Sequence, residues 1–80
     1  MEEQQLRTKM LETFRDVFGN PDLLVQDSTT ADDVEGWDSL THIDLIVALE
    51  RAFRIKFTTG EVGKLANVGD LVSLIKSKTG

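Results

Sequence analysis

The stretch GWDSLTHIDLIVALERAF, residues 36–53, decides how this chain of 80 residues folds. A helix advances about 100° per residue, and on that wheel Leu45, Ile46, Leu49 and Phe53 share one face. Leu40, Ile43 and Val47 form a separate strip, with Asp44, Glu50 and Arg51 interleaved. The pattern predicts a helix that starts at Asp38 or Ser39 and runs to about Arg51 or Phe53. A surface helix of a small bundle needs only one apolar face. The second strip is therefore either covered by the preceding loop or left open for a partner.

On the N-terminal side, Leu6, Met10, Phe14, Val17 and Phe18 recur at helical spacing and make a single apolar stripe. Gly19, Asn20 and Pro21 then supply a C-cap, a turn former and a stop. Residues 19–37 have no sustained period. Leu23, Leu24 and Val25 are expected to plug from this loop into the core. Thr30 with Asp33 three residues on has the spacing of a capping box around one short turn.

On the C-terminal side, Arg54 to Phe57 alternates polar and apolar but is too short for a strand. Thr58 and Glu61 repeat the capping-box spacing and predict a short helix around residues 59–65, weakened by Gly60 and Gly63. Asn67 and Asp70 open a last helix with apolar Val68, Leu71, Val72, Leu74 and Ile75. Lys76 and Lys78 lie near its C-terminus, where cations suit the helix dipole. The expected fold is all-α: a small four-helix bundle, three main helices and one short helix, with a long loop between helices 1 and 2. One domain is expected to cover residues 1–80.

Composition narrows the function. The apolar fraction of 40% fits a globular chain. With no cysteine, neither a disulfide nor a thiolate metal site is available. The start, MEEQQLRTKM, lacks the basic and apolar regions of a secretory signal, and no apolar run approaches the roughly 20 residues of a membrane span. A cytoplasmic location is the expectation. The net charge of −5 argues against nucleic acid, which attracts basic footprints. Its distribution is uneven. Asp27, Asp32, Asp33, Glu35, Asp38, Asp44 and Glu50 fall in a segment with no Lys or Arg, while the rest of the chain holds seven acids and nine bases. Such a middle is either a solvated face or a field that steers a basic partner.

The chemistry concentrates at Gly36-Trp37-Asp38-Ser39-Leu40, where a long loop enters a helix. A Ser there stands beside the unpaired N–H groups of the first turn and commonly serves only as a cap. In this context, however, Asp38-Ser39-Leu40 is followed without a gap by Ile43-Asp44-Leu45, Ala48-Leu49-Glu50 and Phe53. That series resembles the second helix of acyl carrier proteins, and Phe53-Arg54-Ile55-Lys56-Phe57 after it also fits the family. Length, helix order and the acidic middle extend the resemblance over essentially the whole chain.

The resemblance implies a carrier and not an enzyme. The Ser39 hydroxyl would be esterified by 4′-phosphopantetheine, transferred from coenzyme A by a phosphopantetheinyl transferase, and the arm's thiol would hold an acyl group as a thioester. It implies partner-binding roles for Asp38, Leu40, Ile43, Asp44, Val47 and Glu50. The apolar residues would touch acyl-loading and acyl-processing enzymes, and the acids would meet their basic docking surfaces. A monomer in fatty-acid, polyketide, lipid or related biosynthesis is implied. Thr41, Arg51 and Ala52 occupy positions that are often acidic in fatty-acid carriers, and the short helix holds Thr59, Gly60, Val62, Gly63 and Lys64. These departures point at least as much to a specialised carrier for a polyketide, lipid or surface polymer. A peptidyl or aminoacyl carrier uses the same arm, and an unmodified acidic helical binding module remains the alternative from another class.

Other readings have physical objections. His42, the sole histidine, lies one turn after Ser39 and with Asp38 or Asp44 invites a Ser-His-Asp triad. There is no G-x-S-x-G elbow, Trp37 interrupts a G-D-S-L run, and no later His is present to act as base. His42 is expected at the core boundary beside the arm, and Trp37 as a packing anchor for the loop before Ser39. Asp32, Asp33 and Glu35 lack the 12-residue ligand pattern of an EF-hand, so no metal site is expected.

Overall fold

Apolar stripes on three helices meet in one core in the computed structural model, which describes residues 2–79. The helices are α1 (Glu3–Phe18), α2 (Ser39–Phe53), α3 (Thr59–Gly63) and α4 (Val68–Thr79), with a 3-10 turn at Ala31–Asp33 in the long loop. No strand occurs among the described residues. From α1 come Leu6, Met10 and Phe14, from α2 Leu45, Ile46, Leu49 and Phe53, and from α4 Val68, Leu71, Val72 and Ile75. α1 lies against both α2 and α4. α3 buries no residue completely and packs Val62 against the rim of the core.

The helix ends follow local chemistry. Gly19 takes the left-handed conformation (φ 63°) and its N–H donates to the Arg15 carbonyl, closing α1. Thr58 and Glu61 form the capping box of α3, with the Thr58 N–H on Glu61 Oε1 at 2.8 Å and the Glu61 N–H on Thr58 Oγ1 at 3.1 Å. At α4, Asn67 Oδ1 accepts from the Asp70 N–H (2.9 Å) and Asp70 Oδ2 accepts from the Ala66 N–H (3.0 Å).

The long loop is fastened to the bundle at Asp27. Its carboxylate takes two bonds from the Arg7 guanidinium, at 2.6 and 3.3 Å. Its carbonyl accepts from the Gly69 N–H at 2.8 Å, and the Thr29 carbonyl accepts from the Val68 N–H at 2.9 Å. Two otherwise orphaned donors of the first turn of α4 are thereby satisfied by the loop backbone. The approach is close: a Cβ at position 69 would stand 3.1 Å from the Asp27 carbonyl oxygen.

Two expectations need correction. Leu24 does not plug the core but is 75% exposed, while Leu23 and Val25 pack against it. Successive side chains of an extended segment point to opposite sides, so three in a row cannot all turn inward. The short helix ends at Gly63 and not near residue 65, since two glycines in five residues weaken it and the Lys64 N–H folds back onto the Glu61 and Val62 carbonyls.

The packing predicts that Leu45→Ala, at a fully buried position, costs about 2–5 kcal/mol in urea unfolding. Val47→Ala, on the outer strip, should cost about 0.5 kcal/mol or less. The reverse order would mean that α2 presents its other face to the core.

Candidate functional site

The approach to α2 is built from a short series of backbone and side-chain bonds. The Trp37 N–H donates to the Val34 carbonyl at 3.2 Å, and Val34 is buried. Gly36 has φ +87°, a conformation that a side chain would strain, and its carbonyl accepts from Thr41 Oγ1 at 2.7 Å. Asp38 then caps the helix: Oδ1 accepts from the Leu40 and Thr41 N–H groups at 2.9 and 3.0 Å. Thr41 answers, Oγ1 accepting from the Asp38 N–H at 2.8 Å. This is a capping box with the carboxylate at the N-cap and the hydroxyl three residues on. Hydrogen bonds from the Thr41 and Leu40 N–H groups hold the Asp38 carboxyl below its ordinary pKa.

The cap therefore belongs to Asp38, and Ser39 is the first helical residue. Three of the four donors at this helix end, those of Asp38, Leu40 and Thr41, are bonded inside the box. The N–H of Ser39 is the one left over among the described residues, and the Ser39 side chain is exposed beside it. Roughly half a positive charge resides at such a helix end, so the position suits an attached anion.

Trp37 ties this junction to the core. Its ring meets Phe14 edge-on at 5.4 Å and 83°, and Phe18 at 5.8 Å. The His42 ring lies beside it, centre 6.1 Å away and plane inclined by 18°. The indole Nε1–H donates to His42 Nδ1 at 3.1 Å, which assigns the imidazole proton to Nε2. Trp37, His42, Leu65 and Leu71 wall a small, mostly apolar cavity of about 60 Å³. That is the volume of about two water molecules.

Leu40 (75% exposed), Ile43 (60%) and Val47 (39%) stand together on the outer face of α2, uncovered by the loop. Asp44 is exposed among them, in no ion pair among the described residues. The other two acids proposed for this face have internal duties. Asp38 is engaged by its cap bonds, and Glu50 is half-buried with Oε2 accepting from the Phe57 N–H at 2.8 Å. The part of Thr41 was missed in the sequence, although Asp-x-x-Thr at a helix start carries the signal. Nothing in the residue pattern announced the Glu50 bond or the Trp37–His42 bond. In the acidic run, Asp33 Oδ2 is tied to Thr30, and no cluster suited to a metal ion occurs among the described residues. No described helix is long and apolar enough to cross a membrane.

Comparison with known proteins adds a family. Residues 8–75 match the family described as "Phosphopantetheine attachment site". The chain is similar to the acyl carrier protein of Clostridium acetobutylicum, 43% identical over 53 residues covering 66% of this chain and 68% of that one. It is similar to the acyl carrier protein of Wolinella succinogenes at 38% over 58 residues, covering 72% and 75%. Against that of Acidothermus cellulolyticus identity is 30% over 79 residues, covering 99% and 94%. The solution structure of a holo acyl carrier protein from Geobacter metallireducens superposes with a TM-score of 0.83 at 44% identity, covering 91% of this chain and 83% of that one.

The cap has a pH signature. Asp38 binds its proton less readily when folded, so its contribution is complete above its ordinary pKa of 3.8 and is lost as pH falls through the lower folded value. Asp38→Asn keeps the acceptor but not the charge. The gap between wild-type and mutant melting temperatures, followed by circular dichroism, should shrink below about pH 4. A gap that stays constant from neutral pH into that range would remove the carboxylate charge from the explanation. Separately, Trp37→Phe should cost at least about 1 kcal/mol, since the indole donor goes and a smaller ring fills its place. An unchanged unfolding midpoint would make the bond to His42 energetically idle.

Proposed function

Since the chain belongs to the acyl carrier protein family and carries its phosphopantetheine attachment domain, we propose that Ser39 is the residue to which the 4′-phosphopantetheine group is joined. The observation that carries this reading is the Asp38–Thr41 box, which leaves an exposed Ser39 hydroxyl beside the single unbonded N–H of the helix end. That donor set fits a phosphodiester. The Asp38 charge is close by, but its Oδ1 is already engaged by two N–H groups. When bound, the group supplies a thiol that carries an acyl cargo as a thioester, and the chain positions it. Ser39 needs no base of its own, because the transferase brings the catalytic groups.

The protein acts as a carrier and not as a catalyst. In support, the Nδ1 of the only histidine already accepts from Trp37. The outer face of α2 is the docking surface for the transferase and for acyl-loading and acyl-processing enzymes. Leu40, Ile43 and Val47 are its apolar anchors, and Asp44 is the acid with its carboxylate free to pair with a partner's Lys or Arg. Asp38 and Glu50 add to the local negative field more than to direct pairing. Charges of this kind set association rates more than final affinity. The setting is cytoplasmic fatty-acid, polyketide, lipid or related biosynthesis, with residues 1–80 as one carrier domain working as a monomer.

Incubation with coenzyme A and a promiscuous phosphopantetheinyl transferase, read by intact mass, tests the assignment. Wild type should gain one phosphopantetheine and Ser39→Ala none. A wild-type chain left unmodified beside an active control would turn the reading towards an unmodified binding module. Asp44→Lys should slow the reaction about tenfold at low salt and much less at high salt. Equal low-salt rates would take Asp44 out of the docking surface.

A further inference from the structure

The acidic middle of the chain stops abruptly at Glu50, and three cations follow. Arg51 on the last turn of α2, Arg54 at its C-cap and Lys56 in the next segment line an open groove of about 520 Å³ with Val47, Glu50 and Ile55. Arg54 sits in the left-handed conformation (φ 55°) with its N–H on the Glu50 carbonyl, which closes the helix and fixes the turn.

These cations differ from most others in the molecule. Arg7, Lys76 and Lys78 are in ion pairs. Arg15 donates to the Leu23 carbonyl, and Lys9 lies over the Phe53 ring. Arg51, Arg54 and Lys56 are all exposed and form no ion pair among the described residues. The sole carboxylate in the groove, Glu50, already accepts from the Phe57 N–H. The helix C-terminus attracts cations and accounts for part of the clustering. It does not account for Lys56, which lies beyond the cap, nor for the apolar floor.

That floor links the groove to the outer face of α2, since Val47 belongs to both. Asp44 and Arg51 are seven residues apart on one helix, about 10 Å along its axis. This is close to the screening length at roughly 0.1 M salt, so a docked partner meets two poles and not one averaged charge. An anionic lipid surface would match the cations but meet Asp44 and a net charge of −5. A folded protein face with both signs fits better.

We propose that this groove receives an acidic side chain of the partner enzyme, making the docking surface two-signed: acidic at Asp44, basic at Arg51, Arg54 and Lys56. The proposal rests on the α2 docking reading above and adds the kind of partner it selects. Such a surface disfavours a partner whose docking face is basic throughout, because like charges then oppose at one end.

The test uses a phosphopantetheinyl transferase with a uniformly basic docking face, on the full chain. The triple variant Arg51→Glu/Arg54→Glu/Lys56→Glu should be modified about tenfold faster than wild type at low salt, with the difference collapsing at high salt. Lys64→Glu, outside the groove, should stay within about twofold. Replacing the transferase's docking Lys and Arg residues by Glu one at a time should yield at least one enzyme that is faster on wild type and slower on the triple variant. Should the triple variant fail to fold by circular dichroism, Lys56→Glu alone should give the same signs at smaller size. Equal rates for wild type and groove variants, with Ser39 still modified, would overturn the two-signed surface while leaving the attachment site standing. No modification of any variant would strike the attachment reading instead.

Discussion

Where α2 starts fixes what every residue along it faces, and Asp38 fixes the start. Its side-chain oxygen holds the Leu40 and Thr41 N–H groups, and Thr41 returns a bond to the Asp38 N–H. A start one residue earlier or later would tend to turn the pattern by about 100°. Leu45 and Leu49 would then leave the core, and Leu40 and Ile43 would leave the open face. The same bonds consume three donors at the helix end and expose the fourth beside the Ser39 hydroxyl. Helix phase and the geometry of the proposed attachment point thus have one cause, the geometry of a single carboxylate.

The junction is also tied to the centre of the molecule. Phe14, fully buried on α1, meets Trp37 in a T-shaped pair, and Trp37 bonds His42 on the first turns of α2. Trp37, just before α2, is therefore seated on side chains of α1, and His42 is joined to them through it. The loop behind them is pinned at Asp27 by Arg7 and by the backbone of α4. So long a connection in so small a domain is kept in place by a few bonds at its middle and one aromatic cluster at its end.

Much of this could be read from the residues. The periodic faces of α1, α2 and α4 were legible because burial repeats at helical spacing, and the capping boxes at Thr30 and Thr58 and the start of α4 at Asn67 because they are local. The exposed strip at Leu40, Ile43 and Val47 was legible only as a choice between cover and openness, since one sequence does not say where a loop lies. Leu24 was misread because the loop has no period from which to infer sidedness. The engagement of Glu50 by the Phe57 N–H, and the convergence of Arg51, Arg54 and Lys56, depend on how the chain turns after α2. That turn hinges on Arg54 adopting a left-handed backbone, which glycine would have announced and arginine does not.

The carboxylates divide into those that build and those that are available. Glu3, Asp27, Asp38 and Glu61 are held below their ordinary pKa by specific donors, chiefly Lys76, Arg7 and the Thr41 and Thr58 N–H groups respectively. Asp44, in contrast, has no ion pair of its own among the described residues. Net charge alone conceals this division, because an acid that closes a helix is not equally available to a visitor.

Trp37 is the only tryptophan in the chain. Its indole is wedged between two phenylalanines and an imidazole, one residue before the helix cap. The molecule therefore carries a built-in fluorophore at the place where loop becomes helix. Its emission can report, without any label, on whatever is fastened to or loaded at that end.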